Sequence, residues 1–255
     1  MKYILYPFYI LWQYLIAWPI LVVLTAFTAI FTVCTVFWRN AEFVHKVQQF
    51  WSRSFFWLMF IPVSVDGQEH IQPGQSYVFV ANHQGSFDIF LIYGHLNRNF
   101  KWMMKQSLRK IPFVGYACEK SHQIFVDKRG PSKIRKTYED AREILKEGYS
   151  VTVFPEGART FTGHMAHFKK GAFALADELQ LPVVPLTING SFDILPRMKG
   201  FNFINWHPLT LTIHQAIYPI GQGPENVDAT LRQAYDSVMS SLNPKYQGLV
   251  ENPDQ

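Results

Sequence analysis

The chain has 255 residues, 48% of them hydrophobic, with 24 Lys and Arg against 19 Asp and Glu and a net charge of +5. That is ample for the core of one enzyme-sized domain plus an appendage. Its two cysteines, Cys34 and Cys118, form no CxxC or other ligand-like pair, so a disulfide framework and a zinc site have no support and a reducing, cytosol-facing environment is the default.

From Tyr3 to Trp38 there is no Asp, Glu, Lys, Arg or His, a run of 36 residues, where a bilayer-spanning helix needs ~20. The run is too long for the apolar part of a signal peptide and lacks a clean small-residue cleavage site. Burying all of it would demand more surrounding protein than the chain supplies. Pro19 divides it, and aromatics crowd the first half (Tyr3, Tyr6, Phe8, Tyr9, Trp12, Tyr14, Trp18), as they do at headgroup level. Lys2 before and Arg39 after leave two arrangements open: an interfacial or re-entrant helix pair with both flanks cytoplasmic, or one spanning helix from about Tyr14 to Trp38. The next stretch, AEFVHKVQQFWSRSFFWLMF, mixes aromatics with Lys46 and Arg53 and suits a membrane surface. Residues 1–60 therefore read as a membrane-associated helical segment.

After Pro62 strands and helices alternate. VSVDG and SYVFVAN read as strands, FDIFLIYGHL as a helix and QIFVDK as a short strand. PSKIRKTYEDAREILKEG has the 3.6-residue spacing of an amphipathic helix closed by Gly148, and YSVTVFPEG is a strand ending in a turn. FKKGAFALADELQ follows as a helix, LPVVPLTING and LTLTIHQAIYPI as strands, and NVDATLRQAYDSVMSSL as a closing helix capped by Asn226 or Asp228. This alternation predicts an α/β fold over residues 61–243, a largely parallel central sheet flanked by helices. Residues 244–255 read as a tail.

Lys and Arg gather in KWMMKQSLRK (101–110) and DKRGPSKIRK (127–136), which suits phosphate-bearing partners. Nucleic acid is disfavoured, because no recognised binding motif accompanies the charge.

Functional residues of such sheets collect where strands end, and two polar groups stand there. In NHQGSFD, His83 and Asp88 are five positions apart across the strand-to-helix turn. A carboxylate on one imidazole nitrogen leaves the other free to take a proton from a hydroxyl, and Ser86 is placed to cap the helix. In FPEGART, Gly157 allows a tight turn and Arg159 offers a planar fork for phosphate. Glu156 could hold that arginine or accept a hydrogen bond from a substrate hydroxyl. A third group, Lys128 and Arg129, follows the strand of IFVDKRG, as phosphate contacts or as plain strand-end charges. His164 and His167 lack the further ligands a metal would need, and no metal site is expected.

In order, NHQGSFD, IFVDKR, FPEGART and LPVVPLTI resemble the four blocks of the glycerolipid acyltransferase family, typified by bacterial 1-acylglycerol-3-phosphate acyltransferases, over residues 62–220. The resemblance implies His83 as catalytic base with Asp88 as its orienter, and acceptor binding by Glu156, Gly157 and Arg159. It departs in two places. The arginine that usually follows the second block's aspartate is Lys128 here, with Arg129 next, and a glycine common before that block is Ser121. Strand alternation lets only one of Lys128 and Arg129 face the site, and register favours Lys128.

The implied reaction carries an acyl chain from acyl-CoA or acyl-carrier protein to a lysophospholipid, 1-acylglycerol-3-phosphate giving phosphatidic acid. It needs no metal or cofactor and takes place on the cytosolic face of a membrane, whose lipids are the remaining partners. The same motifs fit a lyso-lipid with an ethanolamine or amino-acid headgroup. A non-catalytic lipid-binding protein on this fold would be favoured by loss of His83 or Asp88, and both are present.

Overall fold

The computed structural model describes residues 2–35, 41–127, 129–198 and 202–251. In chain order the elements are α1 (Lys2–Trp12), α2 (Trp18–Thr35), α3 (Ala41–Leu58), β1 (Val63–Asp66), β2 (Val78–Ala81), α4 (Phe87–His95), β3 (Phe100–Lys105), α5 (Val114–Lys120), β4 (Ile124–Val126), α6 (Pro131–Lys146), β5 (Ser150–Val153), β6 (Met165–Ala166), α7 (Gly171–Leu179), β7 (Val183–Asn189), α8 (Ser191–Ile194), β8 (Leu209–Ile213), α9 (Pro224–Ser241) and β9 (Leu249–Val250).

The main sheet has the order β1-β8-β7-β2-β5-β3-β4 and is parallel at every pairing except β7 with β8. Strand β2, VFVA, lies in the middle and is buried on both faces, as a continuous apolar run in a parallel sheet should be. Alternation splits its side chains. Phe79 and Ala81 join a core with Phe55 and Phe56 of α3 and Leu91 and Ile92 of α4, while Val78 and Val80 face Leu145 of α6, Phe173 of α7 and Val238 of α9.

Several elements differ from the sequence expectation. Strand β3 overlaps the first basic cluster: Phe100 and Trp102 turn into the core with β2's Phe79, while Lys101, Met103 and Lys105 alternate to the other face, where Met103 packs on the second core. Pro19 does not break the N-terminal helix. A π-turn at Gln13–Ala17, with Trp18 N–H donating to the Gln13 carbonyl, precedes the proline and absorbs its missing donor, so α1 and α2 run on as one helix. Neither Asn226 nor Asp228 caps α9, which begins at Pro224 after Gly223. Pro224 supplies a preset φ at the first helical position, and the Asn226 side chain is spent on Asp177 at 2.7 Å. Residues 244–251 are no free tail, because β9 pairs in parallel with β6 and Tyr246 is buried.

The α1–α2 helix is bonded to the domain along its length. Tyr9 Oη donates to the Met59 carbonyl at 2.8 Å and Trp12 Nε1 to Leu58 at 2.7 Å. The buried Gln13 amide clasps both backbone groups of Ile204, and Trp51 Nε1 donates to Thr25 Oγ1 at 2.9 Å. Its outer face is bare: Leu5, Phe8, Leu15, Val22, Val23 and Phe27 are all more than half exposed, as are Phe50 and Trp57 of α3 and Phe113 before α5.

Candidate active site

The chain leaves β2 at Ala81 and enters α4 at Phe87, and the five residues between are fixed from every side. Asn82 is fully buried and clamps the neighbouring strand: its amide donates to the Ile188 carbonyl at 2.9 Å and accepts from Ile188 N–H at 2.8 Å. Gly85 has no room for a side chain, since a Cβ would lie 2.7 Å from the Ser191 carbonyl. The turn therefore packs flat on the start of α8, and that close approach requires the glycine.

His83 and Asp88 meet as the spacing suggests. His83 Nδ1 lies 2.8 Å from Asp88 Oδ2, and the same oxygen accepts Gly85 N–H at 2.9 Å. Facing a fully buried carboxylate, Nδ1 carries the proton and Nε2 is left with its lone pair for a substrate hydroxyl. The His83 side chain keeps 15% of its surface. Its ring is stacked on Phe154 at 3.9 Å and 8° between planes, and Phe154 is in turn stacked with Trp102 at 5.4 Å. Phe154, first residue of FPEGART, thus sets the imidazole's tilt while Asp88 sets its rotation.

Ser86 stands at the N-cap of α4 but makes no capping bond. Its hydroxyl instead accepts from Arg159 Nη1 at 2.6 Å, which ties the arginine to the histidine turn. Burial lowers the Arg159 pKa, with Asp88 opposing that shift and Arg197 adding to it. Arg197 donates to the Arg159 carbonyl and lies over the Phe161 ring at 4.2 Å, a second guanidinium at the same place. The sequence reading missed it, for it stands alone in an unpatterned segment beyond the fourth block.

Glu156 does not hold Arg159: at 1% exposure its Oε1 accepts His83 N–H at 2.6 Å and its Oε2 accepts Ala166 N–H at 2.7 Å. Burial pushes its carboxyl up to about 8 against the pull of those two donors. Gly157 turns the chain after it with φ of +81°, its N–H closing on the Phe154 carbonyl at 3.0 Å.

So His83, Asp88, Glu156, Gly157 and Arg159 converge at the end of β2 and β5, while Arg129 does not. It sits past β4, three strand spacings or roughly 14 Å across the sheet from β2. Its side chain is 77% exposed and forks onto Asp127, with Nε 2.9 Å from Oδ1 and Nη2 2.7 Å from Oδ2. Lys128, the favoured alternative, lies outside the described residues. Ser121, where a glycine was expected, has φ of −85° and needs none; the left-handed residue is its neighbour His122.

An apolar cavity lies between α2, α3, β3 and α5, lined among others by Ala29, Trp51, Trp102, Met104, Val114 and Ala117. Trp102 is common to the cavity wall and to the aromatic stack, with Phe154 between it and His83.

Residues 62–189 match the acyltransferase family. A 1-acyl-sn-glycerol-3-phosphate acyltransferase of Chlamydomonas reinhardtii is 33% identical over 190 residues, 74% of this chain and 55% of that one. The mouse protein named 1-acyl-sn-glycerol-3-phosphate acyltransferase alpha is 32% identical over 211 residues, 82% of this chain and 72% of its own. The crystal structure of the 1-acyl-sn-glycerophosphate (LPA) acyltransferase PlsC from Thermotoga maritima superposes with a TM-score of 0.75 at 28% identity, covering 93% of this chain and 95% of that one. The chain thus spans little more than half the length of the algal relative and nearly all of the bacterial structure.

Proposed function

The chain belongs to the acyltransferase family, and on that premise we propose that it acylates the free hydroxyl of 1-acylglycerol-3-phosphate from an acyl thioester, giving phosphatidic acid at the cytoplasmic face of a membrane. The observation that carries the reading is the 2.8 Å contact of His83 Nδ1 with the buried Asp88. Nε2 takes the proton of the acceptor hydroxyl as its oxygen attacks the thioester carbonyl, and Asp88 stabilises the imidazolium. The tetrahedral intermediate then expels the thiolate of coenzyme A or carrier protein, which recovers the proton from His83. Every proton moves between substrate and His83, so the transfer calls on neither cofactor nor metal.

Arg159 and Arg197 suit the acceptor's phosphate, being two guanidiniums beside the histidine turn. The apolar cavity walled by Trp102, whose ring also stacks on Phe154, is the candidate place for part of the acyl chain. The names of the relatives point to lysophosphatidate rather than another lyso-lipid.

The N-terminal helix supports an in-plane arrangement. A helix tied to the α3 segment at Tyr9, Trp12 and Thr25 and to Ile204 at Gln13 would have to carry those parts with it across a bilayer, whereas its bare outer face can enter one leaflet. Lys110, near the exposed Phe113 in sequence, suits an anionic headgroup.

The test is transfer by purified protein in lipid, with a panel of lyso-lipids and both thioester types. Preference for lysophosphatidate, lost in His83→Ala, is the expected result. Turnover of another headgroup alone would displace the acceptor assignment, and near-normal turnover by His83→Ala would displace the mechanism.

A further inference from the structure

We propose that the C-terminal segment, Tyr246 with strand β9, is a strap that positions the histidine turn through the loop carrying β6. The inference rests on the reading of His83 as the base. It gives Glu156 and Gln84 the task of transmitting position rather than binding substrate.

Two ties join the loop to the histidine turn. Glu156 bridges them, its Oε1 on His83 N–H at 2.6 Å and its Oε2 on Ala166 N–H at 2.7 Å. The buried Gln84 amide donates to the Gly163 carbonyl at 3.2 Å. Each tie fixes a residue of NHQGSFD only as well as Ala166 and Gly163 are themselves held.

The strap meets the loop at those same two places. Val250 pairs with Ala166 and Leu249 with Met165 in a two-stranded parallel ladder outside the main sheet. Tyr246, 2% exposed, packs on Gly163 so closely that a Cβ there would lie 2.8 Å from its ring and 2.8 Å from that of Phe192. The strap is itself anchored on the end of β7 and on α8. Asn243 N–H donates to Asn189 Oδ1 at 2.7 Å, and Lys245 Nζ meets Asp193 Oδ1 at 2.7 Å.

A two-stranded ladder is marginal by itself, so the loop depends on Tyr246 packing to keep Ala166 under Glu156. If Ala166 moves, Glu156 loses one of the two donors that favour its ionised form in a buried place, and the His83 backbone loses a fixed partner. Misplacement of a base by a fraction of an ångström lowers turnover without weakening the binding of either substrate.

The test uses the full chain in phospholipid bicelles, with amide hydrogen exchange read at residues 160–168 and 82–86 alongside steady-state kinetics. In Tyr246→Ala, exchange should rise about tenfold in both segments and kcat fall about tenfold, with acceptor KM within about twofold. Tyr246→Phe, which keeps the ring, should restore all three. Ala166 N–H is spent on Glu156, so the ladder's donor from β9 is Val250 N–H; Val250→Pro removes it at a partly exposed position, and should show the same pattern if Tyr246→Ala fails to fold. Faster exchange confined to 160–168, or an unchanged kcat in Val250→Pro, overturns the strap. His83→Ala run in parallel separates the two readings: were it active, the assignment of the base would fail while the coupled exchange of the two segments still stood or fell by itself.

Discussion

The turns after β2 and β4 leave the same edge of the same sheet and are built in opposite ways. After β2, Asn82, Gln84 and Asp88 are buried and bonded to Ile188, Gly163, His83 and Gly85, and the neighbouring Glu156 and Arg159 reach in from 73 residues away. After β4, Arg129 is exposed and its partner is Asp127, two residues back. Proton transfer needs a geometry held to fractions of an ångström, which takes constraints from distant parts of the chain. Arg129, paired with the Asp127 beside it, is held by no such distant constraint, and the pair carries no net charge.

The contrast breaks most sharply at the histidine turn. His83→Ala should lower kcat by ~10²- to 10⁴-fold while circular dichroism and thermal midpoint stay near those of the parent, since the residue is in a turn and not in the core. Asp88→Asn should fall in the same range, because an amide facing Nδ1 can hold the wrong tautomer. A near-normal kcat in either would make the turn a structural corner like the one after β4. Arg159 tests the boundary between the two kinds of turn, being fixed to Ser86 yet cationic. Arg159→Lys should raise acceptor KM about tenfold and donor KM much less, as the ammonium gives up the bidentate fork. Equal effects on both substrates would move Arg159 to a supporting role.

How much of this was legible follows the same division. His83 with Asp88 could be read because both lie within one seven-residue stretch at a strand end. The roles of Glu156 and Ser86 could not, since each is decided by a partner far along the chain: His83 N–H and Ala166 N–H for the first, Arg159 for the second. The strand periodicity of FKWMMK was present, but Lys and Met are weak strand formers and the segment read as a charge cluster. The largely parallel sheet was legible from the alternation of strands and helices. The antiparallel placement of β8 against β7 was not, because pairing direction depends on where the connecting segment 190–208 leads.

The smallest expected effect lies at Asp127, Lys128 and Arg129. Arg129 lends the Nε–Nη2 edge of its guanidinium to Asp127, and that bonding holds the Asp127 carboxyl down to about 2. A carboxyl whose pKa is lowered keeps its charge until the pH falls through that value, so mild acid does not open the pair. A phosphate approaching Arg129 finds that edge already taken by a carboxylate whose charge offsets the cation, so the guanidinium has little left to offer it. Lys128 has the register of the family's arginine, and nothing in its chemistry demands a fork. Arg129→Ala should therefore leave acceptor KM within about twofold, while Lys128→Ala should raise it several-fold, with the difference shrinking in high salt. Asp127→Asn sharpens the contest by freeing the guanidinium: acceptor KM should fall only if Arg129 faces the headgroup. A large rise in Arg129→Ala together with a fall in Asp127→Asn would show that Arg129, turned inward by the bend before Gly130, is the residue that meets the phosphate.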